Sequence, residues 1–258
     1  MRRALVLLFL AACNGSSSTE ETPAPSAQPT TAPTSTAPTK DAGPKDAGSH
    51  PSARLQDCAA SKGELGSIPD AITRLNALVA KGGDQACFVA TLPRPLAIVA
   101  TLNQASAQPA GGRAAPRIFL MLPKLVISAV PEGTGSKVLE FGEWTGSTST
   151  IKGELAVPVT AALAPDAAYK KILVGTDKTA CSNCHRAEER HATIPNAFVS
   201  GALKPSSATE VPLEDLEELH TLCITSGLES PRCDFIHALF DFGELTQGAF
   251  SPAVPTFN

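Results

Sequence analysis

The rhythm of apolar and polar positions changes along this chain, and each change predicts a different element. An apolar run covers residues 4–12, behind Arg2 and Arg3. Residues 13–52 then carry Ser, Thr, Pro and Ala with almost nothing to bury, the texture of an extended tether rather than a fold. Order begins near Arg54. Ser67-Ile68-Pro69-Asp70 combines a cap, an early proline and an early acid, and Ala71, Ile72, Leu75, Leu78 and Val79 follow on one helical face until Gly82-Gly83. From Ala86 onward short apolar runs are broken by Pro and Gly, which predicts strands at Cys87–Leu92, Leu96–Thr101, Arg117–Leu122, Leu125–Val130, Lys137–Trp144 and Ile151–Val157. Helical periodicity returns late. Leu213, Leu216, Leu219, His220 and Cys223 form one stripe, and Cys233, Ile236, His237 and Phe240 form another behind Ser230-Pro231.

The expected fold class is therefore α+β. An antiparallel β-rich region at 53–175, a sheet or small sandwich led by one helix, precedes a small helical region at 176–258. The alternative is one domain, with the sheet packed over whatever the later region binds. No acid, base and nucleophile cluster stands out among the strands. Ser128 and Glu143 read as polar positions facing water, and Met121 as core.

Composition narrows the setting. With 21 basic and 25 acidic residues the formal charge is −4, the wrong sign for a phosphate-backbone partner, so nucleic-acid binding is not expected. Met1-Arg2-Arg3 and the short apolar run form an export signal, too short for a permanent membrane span. Leu10-Ala11-Ala12-Cys13 resembles the lipobox of bacterial lipoproteins. The resemblance implies a signal peptide at 1–12, a lipid on Cys13 and a membrane anchor followed by the 13–52 tether. Asn14 in place of Asp favours the outer over the inner membrane within that family.

The chemistry concentrates in Cys181-Ser182-Asn183-Cys184-His185. Two thiols one turn apart can each add to a vinyl group of haem, and the adjoining imidazole then falls beneath the iron. A disulfide, a redox thiol pair or half of a zinc site are the competing readings of the same residues. Ala180 stands where thioredoxin-like motifs carry an aromatic residue, and no βαβ pattern surrounds the pair. The motif is similar to that of c-type cytochromes, and the likeness covers these residues alone. It implies one haem c bound through thioethers at Cys181 and Cys184, with His185 as proximal iron ligand. No methionine follows Cys184, so the methionine-ligated arrangement of class I members is in doubt, and His220 or His237 is the candidate distal ligand, with an open iron position as the alternative. Six of the ten phenylalanines lie after His185 and offer walls for a flat macrocycle.

The other cysteines read as disulfides in an exported chain. Cys58 and Cys87 bracket the first long helix, and Cys223 and Cys233 join the two late helices, which would bring both imidazoles to one inter-helix seam. Nine acidic residues stand against Arg232 alone between Glu210 and Glu244, a surface suited to a basic redox partner or simply a solvated face. The expectation is an electron carrier of the cell envelope and periplasm rather than a catalyst; the alternative is a non-catalytic binding or structural lipoprotein in which Cys181 and Cys184 form a disulfide or bind metal.

Overall fold

Pairing of alternating strands builds the frame. In the computed structural model, which describes residues 51–185 and 187–257, β1 (Leu96–Thr101), β2 (Arg117–Met121), β3 (Leu125–Ala129), β4 (Val138–Trp144) and β5 (Ser149–Ala156) form a consecutive antiparallel meander. Short strands from the C-terminal third extend both edges. β9 (Phe198–Gly201) pairs with β5 and carries β8 (Glu189–Arg190) outside it, while β10 (Glu210–Val211) and β11 (Leu245–Gln247) share the outer edge of β1. The result is a nine-stranded sheet. A separate two-stranded ribbon joins β6 (Leu173–Val174) to β7 (Lys178–Thr179). The expected signal peptide, Cys13 and nearly all of the expected tether lie outside the described residues. Among those described, no helix is long and apolar enough to cross a membrane.

Six helices accompany the sheet: α1 (Ala53–Ala59), α2 (Ile68–Leu78), α3 (Gln85–Ala90), α4 (Ala167–Ile172), α5 (Leu213–Ser226) and α6 (Pro231–Phe240). Their starts follow local chemistry. Ser67 accepts the Asp70 amide at 3.2 Å, and Ser230 accepts the Cys233 amide at 3.1 Å, each satisfying a donor that the first turn leaves open. Glu143 also accepts the Ile68 amide at 2.9 Å, so it holds the positive end of α2 instead of facing water. The expected strand at Cys87–Leu92 is instead α3 and its following turn. Asp84 caps it through the Cys87 amide at 2.7 Å, and every residue of the helix is buried, so the apolar run has no exposed face to reveal its period.

The sheet has two unlike faces. Ile98, Ile118, Leu120, Ile127, Leu139, Phe141, Ile151 and Leu155 point into one apolar core with residues of all six helices. Two disulfides fasten that layer, Cys58 to Cys87 and Cys223 to Cys233. The intervening strand positions carry Thr101, Arg117, Phe119, Ser128, Glu140, Trp144, Thr150 and Lys152 to the opposite face. Strands from both sides of the 175/176 boundary enter the same sheet, and residues 176–258 are not a purely helical region: beside α5 and α6 they contribute β7 to β11.

Candidate functional site

The polar face of the sheet is the floor of a cleft with about 190 Å³ of solvent space. The Cys-x-x-Cys-His segment forms part of its wall. β7 delivers the chain to a 3₁₀ turn at Ala180–Asn183, where the Thr179 hydroxyl accepts the Cys181 amide at 3.1 Å and Ser182 donates back to the Thr179 carbonyl at 2.8 Å. Glu188 anchors the base of this turn by accepting from the amide of Thr179 at 2.7 Å and from its hydroxyl. The Cys181 carbonyl then accepts both the Cys184 amide at 3.1 Å and the His185 amide at 2.8 Å. One turn of chain thus brings Cys181, Cys184 and His185 to the cleft together.

Gly201 of β9 fixes the imidazole. His185 Nδ1 lies 2.7 Å from the Gly201 carbonyl, which can only accept, so Nδ1 carries the proton and Nε2 keeps its lone pair. Burial, reinforced by the nearby Lys152 ammonium, pushes the His185 pKa down to about 4. The ring is neutral at neutral pH, the state that ligates metal.

Cys181 and Cys184 are free thiols, the second exposed. Burial pushes the Cys181 pKa up to about 11, so its thiolate is scarce at neutral pH, opposite to the low-pKa sulfur of a dithiol oxidoreductase. Zinc is also poorly served here: among the described residues, the one group of three metal-binding side chains drawn close together is His220, His237 and Asp241.

Lys152, by sequence an ordinary strand position, occupies the floor beside the motif. It is only 8 % exposed, its ammonium makes no hydrogen bond among the described residues, and burial pushes its pKa down to about 8 against the pull of Cys181 and Glu140. Next to it Arg117 pairs with Glu140 at 2.5 Å and donates to Ser128 at 3.0 Å; Ser128 in turn donates to Gln108 at 2.6 Å. Ser128 is therefore a buried link in a polar network, not a water-facing position. No local sequence signal marks this arrangement, because it exists only once residues 180–185 fold over the sheet.

The aromatic walls differ from expectation. Phe250 and Phe257 line the cleft together with Phe119 and Trp144 of the sheet. Phe235 is buried in the helical core, Phe198 lies under the Arg190 guanidinium at 4.8 Å, and Phe240 stacks on His220 at 4.9 Å. Met121 is half-buried and does not line the cleft.

Neither His220 nor His237 lines the cleft. They do meet at the α5–α6 seam, with ring centroids 5.2 Å apart, and both bond to Asp241. That helix pair belongs to the apolar core on the other face, where α6 packs on α3. The sheet stands between them and His185, so the structure does not bring either imidazole to the motif. Comparison with known proteins adds no relative: no family model matches the chain, and no curated protein or solved structure matches it.

Proposed function

We propose that this protein is a lipid-anchored carrier of one covalently attached haem, working in electron transfer at the cell envelope. The observation that carries the reading is the His185 Nδ1 bond to the Gly201 carbonyl, which presents a neutral imidazole with its Nε2 lone pair beside two unpaired thiols in one cleft. An orienting bond of this kind from the outer nitrogen to a backbone carbonyl is the usual companion of a metal-bound histidine.

The residues present suit the group. Cys181 and Cys184 would supply the thioethers and His185 the proximal nitrogen. Phe119, Trp144, Phe250 and Phe257 offer apolar wall, and Lys152, whose ammonium has no hydrogen bond among the described residues, offers positive charge to a macrocycle that carries two carboxylates. When bound, haem supplies a one-electron redox change. The chain's part is to hold the imidazole in one tautomer, to shield one side of the cleft with the sheet, and to place the Lys152 ammonium where it can meet a carboxylate. Leu10-Ala11-Ala12-Cys13 supports export and lipid attachment, which put the chain where haem attachment and envelope redox partners are found. The acidic surface of residues 210–244 suits a basic partner.

Replacing Cys181 and Cys184 by Ala, singly and together, tests this in a host with haem-attachment machinery. Denaturing gels should show peroxidase-active haem on the parent chain, less on each single variant and none on the double variant. Equal staining of all four chains, or of none, rejects the proposal.

A further inference from the structure

We propose that His220, His237 and Asp241 form a second site, specific for a single divalent transition-metal ion of the zinc class. His220 comes from α5, whereas His237 and Asp241 lie one turn apart at the end of α6, where Asp241 is the C-cap. His220 Nε2 stands 2.7 Å from Asp241 Oδ1, and His237 Nδ1 stands 3.0 Å from Oδ2, so two imidazole nitrogens converge on one carboxylate. All the ligand atoms lie within 4.8 Å of one another.

The spacing fits an ion. Zinc–nitrogen and zinc–oxygen bonds of about 2.0–2.1 Å in a tetrahedron separate neighbouring donors by about 3.3 Å. The two nitrogen–oxygen separations of 2.7 and 3.0 Å need about 0.3–0.6 Å of expansion, and the full donor set already lies within 4.8 Å. Two imidazoles on one tetrahedral ion have ring centroids about 5 Å apart, and here they are 5.2 Å apart. A pair of nitrogens with one carboxylate suits zinc and its neighbours over calcium or magnesium, which prefer oxygen cages.

The surroundings restrain these donors. The Cys223–Cys233 disulfide ties α5 to α6 three residues after His220 and four before His237, and Phe240 stacks on the His220 ring. The side chains of His220 and Asp241 remain 18 % and 11 % exposed while His237 is buried at 3 %, so solvent reaches the cluster from the α5 side. Three protein ligands leave a fourth position for water, the pattern of an open rather than a closed zinc site. Without the ion the same atoms form a carboxylate clamp between two helices, which explains why the cluster is tolerated in a buried seam. This site is independent of the haem reading, because the sheet separates the two.

Zinc ion alone is the probe. The full chain is stripped with chelator and titrated with zinc by calorimetry, both as the haem-matured protein and as a Cys181→Ser/Cys184→Ser chain that removes competing thiols. Bound metal is counted by elemental analysis, and thermal unfolding is followed with and without zinc. The site predicts about one zinc per chain in both forms and a zinc-dependent rise in Tm, with affinity falling at least about tenfold in Asp241→Asn and in His220→Gln. His220→Gln, at the more exposed position, keeps the test decisive if Asp241→Asn fails to fold. No bound zinc, zinc bound only when Cys181 and Cys184 are present, or unchanged affinity in the folded variants overturns the proposal.

Discussion

Replacing Lys152 by Met should make the haem-free chain more stable at neutral pH. Lys152 is 8 % exposed, its ammonium makes no hydrogen bond among the described residues, and its pKa is pushed from the ordinary 10.5 to about 8, chiefly by burial. A depression of this size corresponds to about 3 kcal/mol, at 1.36 kcal/mol per pH unit. The sign follows from proton counts. Below pH about 8 both folded and unfolded chains hold the proton, and the folded chain bears the full cost. Between about 8 and 10.5 only the unfolded chain holds it, so parental stability rises with pH, and above that range the cost is gone. Cys181 runs the other way, since its raised pKa of about 11 makes stability fall as pH rises from the ordinary thiol value of 9.0. The difference between Lys152→Met and parent, measured at each pH, reads the lysine together with its coupling to Cys181. Urea unfolding from pH 7 to 10 should show the variant ahead by up to about 3 kcal/mol at pH 7, with the gap narrowing above pH 8. A variant less stable at pH 7, or a gap that does not change with pH, would refute the picture of an unpaired buried cation held ready for an anionic ligand.

Two further outcomes test the frame that positions the cleft. Removing the Cys58–Cys87 bridge with paired Ala substitutions opens a loop whose ends are 29 residues apart; chain entropy puts the loss near 3–4 kcal/mol, read as a lower urea midpoint. Gly83→Ala should destabilise the chain by about 2–4 kcal/mol, because the residue has φ +56° and an added Cβ would come 2.3 Å from the Val159 carbonyl oxygen, a contact the backbone must move to relieve. Thermal melts that match the parent in the second case would mean that this turn is far softer than its packing implies.

Much of the sheet was legible in the sequence, and the reason is its alternation. β1 spans Leu96–Thr101 as read, and β2 to β5 depart from the expected strands by at most two residues at an end, since alternate positions on the core face are mostly apolar. α3 was not legible, because Ala86–Ala90 is buried on all sides and carries no period. β8 to β11 were missed for a different reason. They are two to four residues long; β9, β10 and β11 pair with distant strands and β8 pairs only with β9, so nothing local marks them. At the site, the motif and its histidine could be named from sequence, whereas Lys152 could not: Ile151-Lys152-Gly153-Glu154 reads as an ordinary strand with a solvent face. The late histidines show how far periodicity reaches. Helical spacing correctly put His220 and His237 at one seam, but the face of the sheet on which two helices pack is a tertiary fact that spacing does not encode.

The central claim is that Cys181, Cys184 and His185 hold a haem. Intact mass and visible spectrum of the chain matured in a host with haem-attachment machinery test it most directly. A haem-bearing chain gains the mass of one haem, keeps it through denaturation and shows an α band when reduced. An unmodified mass with both motif thiols open to alkylation, and no visible absorption, would contradict it.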